Sequence, residues 1–353
     1  MNEENRHVIT DLIGSQAEPP SSVSGTHQPV LVFQPPAERQ TPKPAPPGPS
    51  RIPPECERIP TMEITEIEAP QIYRWVDEAG QVHYQDEPPN RTSFEEMASS
   101  GPQTLEYFKV SFLGSGSKAL NKDQTDELKA ELNKVHDQIT SLLPREFWRK
   151  LILNIQILHH EDEFKAALKE RGIRFHGQSG TYTSSTNEIL VQTQGSPERT
   201  AALIQHEVTH AILAGITGYL PAWLNEGLAG YFEGVSVEGQ SIRMGFKPEH
   251  HRYLTRRQIT LSYDRLATLT YDNWGNDDSH ASYAMAWSFV FYLMGRQEGR
   301  DAIAGLLQES AERYCEQLDS RELLKRHHVL DLKVLQRSWN EWLTDGSRHD
   351  HVR

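Results

Sequence analysis

Over residues 121–345 the apolar positions recur mostly at a helical period. In the first such segment they share one face of a predicted helix that Pro144 ends: Leu128, Leu132, Val135, Ile139 and Leu142. Residues 151–158 (LILNIQIL) are short, bounded and rich in Ile and Leu, which is typical of a strand. A further strand is predicted at 187–193, after an amphipathic helix over 161–172. The pattern predicts an α+β domain that is mainly helical and contains a small mixed sheet.

An apolar helix follows the strand at 187–193. Ser196 suits its N-cap and Pro197 its first position. Two glycines and then Pro221 break the pattern, and Pro221 suits the first turn of a second helix. The elements predicted beyond that helix are a hairpin or loop region over 235–262, an apolar helix over 282–293 and further helices across 299–345.

The N-terminal part lacks this periodicity. Thirteen of the chain's 21 prolines fall between Pro19 and Pro60. Because few large apolar residues accompany them, residues 1–69 are predicted to be a disordered or polyproline-like tail that acts as a spacer. Residues 70–92 carry two short aromatic runs around a turn at Asp77–Gly80, which predicts a small β-hairpin module.

The hairpin module is followed by a predicted linker, residues 93–120, with a flexible end at Gly114–Ser117. Apolar residues within it indicate one docked strand: Tyr107, Phe108, Val110 and Phe112. The predicted organisation is therefore a tail, a hairpin module, a linker, a folded domain over 121–345 and a short C-terminal tail over 346–353.

Composition narrows the possible functions. The hydrophobic content of 37% is low for 353 residues and agrees with an unfolded tail. The net charge of −13 and the lack of a long Lys/Arg block argue against a nucleic-acid partner. No apolar run of about 18 residues is present, so no transmembrane helix is expected. The first residues, MNEENRHVITDLIGSQ, lack the basic and apolar regions of a signal peptide, so we expect either a cytoplasmic protein or a processed or recut form of an exported one.

The chain has two cysteines, Cys56 and Cys315, and they lack metal-ligand spacing. A disulfide between them would tether the Pro-rich tail. The sequence leaves that pairing open, and two unpaired thiols are the expectation.

A candidate metal site lies in the apolar helix that follows the strand at 187–193, at His206-Glu207-Val208-Thr209-His210. Residues four apart lie about one turn apart, so the imidazoles of His206 and His210 share one face and can bind one ion. Glu207 lies about 100° round the helix, where a general base for an activated water belongs. This H-E-x-x-H pattern predicts a hydrolytic site with Zn²⁺ as its cofactor.

A third protein ligand is expected from a second element, because a hydrolytic zinc keeps one open position for water. Fifteen residues separate His210 from Glu226, which falls in the second turn of the next helix. Ala229 and Gly230 lie on the face of Glu226 and would let the two helices approach closely. Glu233, near the end of that helix beside bulky side chains, is the weaker candidate.

The strings HEVTH and PAWLNEGLAGYFE together resemble the gluzincin metallopeptidases, in which H-E-x-x-H is completed by a distant Glu. The resemblance is closest to the bacterial peptidase MA-like families, distant relatives of the M1 aminopeptidases, and covers roughly residues 125–345. It implies a zincin-like fold in which His206, His210 and Glu226 bind zinc. It also implies that Glu207 is the general base.

The same resemblance implies further site residues. In gluzincins a Tyr or His beyond the Glu ligand steadies the tetrahedral oxyanion. Tyr283 resembles that Tyr, and His280 is the alternative donor. The sheet edge before the zinc helix lies over the metal and pairs with substrate backbone, so Gly180–Tyr182 and Ile189–Gln192 are implied to face the substrate.

The hairpin string has the pattern Y-x-W-V-D-x-x-G-x-V-H-Y-x-D-x-P-P. It resembles a short DUF4124-like domain of unknown function that is found mainly in exported proteins of Gram-negative bacteria. This resemblance implies the cell envelope or periplasm although no signal peptide is visible, and a cytoplasmic location is the alternative.

Together these features predict a zinc-dependent metallopeptidase with a polypeptide substrate. No G-x-M-E-N type string precedes the zinc helix, which favours an endopeptidase over an aminopeptidase. One alternative is a zinc-stabilised module that binds polypeptides without cutting them, although such a module has no use for Glu207. Another alternative is a zinc amidase acting on peptidoglycan peptides. The sequence sets no oligomeric state.

Overall fold

The structure of the chain is a computed structural model. It describes residues 72–76, 82–85, 95–97, 107–175, 177–184, 186–271, 273–274, 278–328, 330–345 and 349–353. The predicted Pro-rich tail and the predicted turn at Asp77–Gly80 lie outside these residues. Within them the fold is α+β as predicted, mainly helical and with a small mixed sheet.

Three short antiparallel strands form the N-terminal sheet, in the order β2-β1-β3. Their bounds are β1 (Ile72–Val76), β2 (Val82–Gln85) and β3 (Glu95–Met97). β1 and β2 are the predicted hairpin, with Val76 opposite Val82. β3 comes from the predicted linker and pairs with the other edge of β1, which adds backbone hydrogen bonds that a lone hairpin lacks.

The mixed sheet lies next to the helices and has the order β4-β5-β7-β6. Its strands are β4 (Phe108–Leu113), β5 (Leu151–Leu158), β6 (Gly180–Thr183) and β7 (Glu188–Gln192). β4, β5 and β7 are parallel, whereas β6 pairs antiparallel with β7. β4 is the strand that the apolar residues of the predicted linker indicated.

The two segments that were predicted to face the substrate lie in different strands. Of these two strands, β6 is at the edge of the sheet and β7 is internal. Ile189–Gln192 belong to β7, which is paired on both sides by β5 and β6. Its residues Ile189, Leu190 and Val191 are 0% exposed, because consecutive apolar residues suit a strand covered on both faces. The prediction that Ile189–Gln192 face the substrate was therefore wrong, and Gly180–Tyr182 of β6 form the edge.

The helices have well-defined starts. Their described bounds are α1 (Lys122–Thr140), α2 (Glu161–Glu170), α3 (Pro197–Thr217), α4 (Ala222–Phe232), α5 (Pro248–Arg256), α6 (Tyr263–Ala267), α7 (Ser279–Met294), α8 (Gln297–Glu312), α9 (Ser320–His327) and α10 (Leu332–Asp345). α3 begins as predicted, with Pro197 first and the Ser196 hydroxyl accepting a hydrogen bond from the Arg199 N–H at 3.3 Å. Of the helices described, none is long and apolar enough to span a bilayer.

A third sheet holds the C-terminal residues against the domain. β8 (Ser236–Glu238) and β9 (Ser241–Met244) form a hairpin, and β10 (His351–Val352) pairs with β9. The backbones of Ile242 and Arg353 exchange two hydrogen bonds of 2.9 Å each. The end of the predicted C-terminal tail is thus part of the fold, because it completes the edge of this hairpin.

The packing of α4 on α7 sets the position of the metal site. Both helices are apolar on nearly all sides and lie in the core, as such helices must. A Cβ added at Gly227 of α4 would lie only 2.7 Å from the Ala286 carbonyl oxygen of α7. A Cβ at Gly230 would lie 3.5 Å from the Cβ of Trp287, also on α7. The prediction that Gly230 brings α4 close to α3 was therefore wrong, since Gly230 faces α7.

Replacing Gly227 by Ala should destabilise the protein, because the added methyl group meets the backbone of α7. The overpacking should cost about 1–3 kcal/mol, and the better helix propensity of Ala returns at most about 1 kcal/mol. Urea unfolding in the presence of a chelator measures the difference. Gly245→Ala is the control, since nothing lies within 4 Å of a Cβ at that position. Equal stability of the two variants would contradict the close approach of α4 to α7.

Candidate metal centre

Two histidines of α3 face the same side of the helix, one turn apart. The ring centroids of His206 and His210 lie 4.8 Å apart, and the ring planes are at 83° to each other. Each side chain is 14% exposed, so both imidazoles are largely withdrawn from solvent.

α4 brings a carboxylate to this pair. α3 is followed directly by Gly218, whose φ of 71° lets the chain turn sharply toward α4. Oε2 of Glu226 then lies 3.4 Å from Nε2 of His206 and 3.6 Å from Nε2 of His210. One ligand atom from each of the three residues lies within 4.8 Å of the others. The structure therefore brings together the three residues that the sequence indicated as ligands.

The geometry of the three side chains suits one metal ion. Ligand atoms bound at about 2.0–2.1 Å in a tetrahedral arrangement lie about 3.3 Å apart. Oε2 of Glu226 is buried and has no hydrogen-bond partner in the described part of the chain. Burying such an oxygen costs free energy, and a cation between the three ligand atoms would offset that cost. Two imidazoles and one carboxylate are a donor set for zinc and related divalent metals.

The pKa shifts of these groups also indicate that the site favours positive charge. Burial would lower the pKa of His206, but the carboxylates of Glu226 and Glu233 raise it to about 10. Burial likewise opposes the raised pKa of His210, which the Glu226 carboxylate causes. Burial would raise the pKa of Glu226, yet the two imidazoles hold it well below its usual range. In metal-free protein, the proton on the His206 imidazole provides positive charge of the kind that a metal would bring, and metal binding would displace it.

Glu233, the competing candidate for the third ligand, takes a different position. It follows the last residue of α4, and its Oε2 lies 3.2 Å from Nδ1 of His206, the nitrogen that faces away from Glu226. Lys247 donates a second hydrogen bond to the same oxygen at 2.8 Å. An N–H from Nδ1 to Glu233 leaves Nε2 of His206 as the free donor for a metal. Glu233 therefore orients a ligand and is outside the ligand group.

A buried polar network fixes the turn that carries Glu233. Gln205, the residue before His206, donates to Oε2 of Glu131 on α1 at 2.8 Å and to the Val235 carbonyl at 3.2 Å. The Gly234 N–H donates to Oε1 of Gln205 at 2.7 Å. Burial raises the pKa of Glu131 to about 7, although the hydrogen bond from Gln205 opposes this. The network connects α1, α3 and the end of α4 immediately behind the ligands.

Glu207 lies under the edge strand of the mixed sheet. It is 7% exposed, and burial raises the pKa of its carboxyl group while the imidazoles of His210 and His206 lower it. A Cβ added at Gly180 of β6 would lie 2.6 Å from Oε1 of Glu207. Only glycine lets the strand pass this close to the carboxylate. The predicted base and the predicted substrate-facing strand are therefore neighbours.

Two tyrosines lie close enough to the candidate ligands for the charge of Glu226 to raise the pKa of their hydroxyl groups. The pKa of Tyr283 is raised by burial and by the charges of Glu226 and Glu207, although the side chain is 39% exposed. Tyr271 is 50% exposed as a whole residue, yet burial of its hydroxyl group and the charge of Glu226 raise the pKa of that group well above the usual value. Asn225, next to Glu226, donates to the Tyr271 hydroxyl at 2.5 Å. Sequence reasoning missed Tyr271, because the segment between α6 and α7 has no periodicity.

Two further histidines belong to the surroundings of the site. His280, the alternative to Tyr283, is exposed in the first turn of α7. His250 on α5 was not identified from the sequence. Burial and the nearby Lys247 lower its pKa to about 4, so this imidazole is neutral at pH 7. The charges of Glu233 and His206 also act on it, which makes His250 a neighbour of the metal centre.

Two family models match parts of the chain, and neither names a function. Residues 200–315 match one described as "Protein of unknown function (DUF1570)", a range that includes all three candidate ligands. Residues 67–106 match one described as "Domain of unknown function (DUF4124)", which confirms the resemblance of the hairpin string. No curated protein matches the chain. The geometry of the site is therefore the evidence for its chemistry.

Replacing Glu233 by Gln should weaken metal binding about 10–100-fold, because His206 loses the charged acceptor that fixes its ring. Competition with a fluorescent chelator measures the dissociation constant. Glu238→Gln is the matched control, since the exposed Glu238 carboxylate only accepts hydrogen bonds from Arg243 across a hairpin. If Glu233→Gln bound metal as tightly as that control, Glu233 would have no role in supporting the ligand.

Proposed function

We propose that the chain is a zinc-dependent metallopeptidase of the gluzincin type. The observation that supports this most directly is the meeting of His206, His210 and Glu226 around one point, with Glu207 buried beside them. Structural zinc sites are usually closed by four protein ligands. Three protein ligands and an adjacent carboxylate are what a hydrolytic site needs.

The roles of the residues follow from their positions. A zinc ion held by the three ligands would supply Lewis-acid activation of a water molecule and of the substrate carbonyl. Glu207 would take the proton of the attacking water and deliver it to the leaving amine. Burial raises the pKa of Glu207 toward the working pH, which favours a group that must both accept and return a proton.

Tyr283 would donate a hydrogen bond to the oxyanion that develops on the carbonyl. Its raised pKa keeps the phenol protonated at neutral pH, as a donor must be. Tyr271 lies on the same side and is held by Asn225, so it would contact the substrate beside Tyr283.

The edge strand β6 favours an extended polypeptide as the substrate. One side of β6 pairs with β7, and no described strand pairs with the other. Backbone groups on a free strand edge can bind an extended peptide as an additional strand. Because Gly180 of β6 lies over Glu207, a peptide bound there would pass the proposed base. A continuous edge accepts internal segments of a polypeptide, in line with an endopeptidase.

The position of Glu207 also argues against a module that only binds polypeptides. A buried carboxylate next to a second buried carboxylate destabilises a fold unless it is compensated. Such a group is explained by proton transfer and has no use in a binding groove. The open edge of β6 suits a polypeptide better than the short branched peptides of peptidoglycan that an amidase would cut.

Replacing Glu207 by Gln should leave zinc binding unchanged and lower peptide hydrolysis by about 10²–10⁴-fold, because Gln cannot take the proton. Elemental analysis gives the zinc content, and cleavage of unfolded proteins and quenched-fluorescent peptide libraries gives the activity. Glu198→Gln, at an exposed position in the first turn of α3, is the matched control. Full hydrolysis by zinc-loaded Glu207→Gln would rule out the proposed base. A wild-type protein that bound no zinc after reconstitution would rule out the proposed function.

Replacing Tyr283 by Phe should lower kcat about 10²-fold with little change in KM, because the hydroxyl acts mainly on the transition state. Steady-state kinetics on the best peptide substrate separate the two constants. Tyr107→Phe serves as the control, since Tyr107 packs edge-on to Trp148. A loss of kcat in His280→Ala instead of Tyr283→Phe would assign the donor role to the histidine.

A further inference from the structure

Cys315 takes part in a disulfide bond, so the expectation of two unpaired thiols was wrong. The residue follows α8, is 5% exposed and has a left-handed φ of 68°, which is uncommon for a residue other than glycine. Its backbone N–H donates to the Thr217 carbonyl at 3.2 Å. Thr217 is the last residue of α3, and Cys315 is thereby fixed against the end of the helix that holds both histidine ligands.

We propose that the partner of Cys315 is Cys56 of the same chain, and that this bond fastens the N-terminal module to the domain with the metal centre. The chain contains two cysteines, so Cys56 is the one other thiol that the sequence offers. Cys56 itself lies outside the described residues. No described cysteine is free.

The position of Cys56 in the sequence determines which parts of the protein the bond connects. Cys56 precedes the short domain at residues 67–106, and the chain reaches β4 directly after that domain. Without the disulfide, the domain is joined to the rest of the protein by its C-terminal end alone. With the disulfide, both ends of the domain are joined to the larger fold. The bond therefore adds a second covalent attachment to the first.

The chemistry of the bond also indicates where the protein works. Each thiol loses a proton, the S–S bond forms, and the two electrons pass to a disulfide oxidant that becomes a dithiol. Such oxidants dominate in the bacterial periplasm and in other export compartments, whereas cytosolic thiols are kept reduced. A structural disulfide at Cys315 thus supports the envelope location that the resemblance of the hairpin module implied, against the cytoplasmic alternative.

The disulfide is separate from the metal ligands. Thr217 follows His210 by seven positions in α3, a distance of about 10 Å along the helix axis. Reduction should therefore leave the metal site in place. The inference does not depend on the proposed peptidase activity, and its test uses no substrate.

The test is a thiol count on the full-length protein, produced in the periplasm of a bacterial host. The protein is denatured, alkylated with and without prior reduction, and weighed intact by mass spectrometry. We expect no alkylated cysteine before reduction and two after it, in a monomer. Peptide mapping without reductant should recover one linked pair that contains Cys56 and Cys315.

Single variants distinguish the possible partners. Cys56→Ser and Cys315→Ser should each expose one alkylatable thiol in a monomeric protein. The thermal stability of the wild type should fall in reductant, whereas that of the double serine variant should not respond. Two free thiols in the unreduced wild type would overturn the proposal. A covalent dimer that persists in Cys56→Ser would overturn it as well, by showing that Cys315 bonds to a second copy. The wild-type mass decides the question even if a variant fails to fold.

Discussion

The metal centre depends on the burial of one carboxylate between two imidazoles. Glu226 is 6% exposed, and its Oε2 receives no hydrogen bond from the described residues. A charge in such a place is tolerated only when opposite charge compensates it, since desolvation costs several kcal/mol. The crossing of α3 and α4 therefore needs positive charge near its centre, which a protonated imidazole or a bound metal ion would supply. The surrounding contacts serve to keep that crossing close and fixed.

The contacts that support the crossing involve the sequence neighbours of the ligands. Gln205 precedes His206 and bonds to Glu131 on α1, whereas Gly227 follows Glu226 and allows the approach of α7. Asn225, on the other side of Glu226, bonds to Tyr271. Consecutive helical residues point about 100° apart, so a ligand can face the site while its neighbours face supporting elements. This arrangement fixes the backbone at the ligand itself, which a distant contact could not do.

The parts of the structure that local patterns determine were predictable. Helix starts such as Ser196-Pro197 depend on neighbouring residues, and the spacing of His206 and His210 follows from the helical period. Contacts between distant segments were not predictable in this way. An apolar run predicts that β7 is buried but does not show which strand forms the edge. Likewise, glycines on α4 indicate a close approach without showing that the neighbour is α7.

The same limit applies to the site. Glu226 could be inferred because a hydrolytic zinc needs a third protein ligand and Glu226 falls in the second turn of the next helix. The contact of Glu233 with His206 could not be inferred from the position of Glu233 in the sequence. Tyr271 lies in an irregular segment, so no period relates it to the ligands. The bond of Cys315 depends on a residue far away in the chain. Pairings between residues that are distant in the sequence are visible only in the folded structure, and the roles of Glu233, Tyr271 and Cys315 follow from such pairings.

The ionisation of the site explains how one geometry can serve with and without metal. The pKa of His206 rises from 6.5 to about 10, so the stabilisation from its proton is complete below about pH 6.5 and is lost as the pH rises through about 10. The pKa of Glu226 is lowered from 4.5, so its contribution is present above that value and is lost on further acidification. Near neutral pH both contributions act together, and the protonated imidazole of His206 holds the carboxylate. A divalent metal would bring the same kind of charge to the same group of atoms, so that little rearrangement of α3 and α4 would be needed.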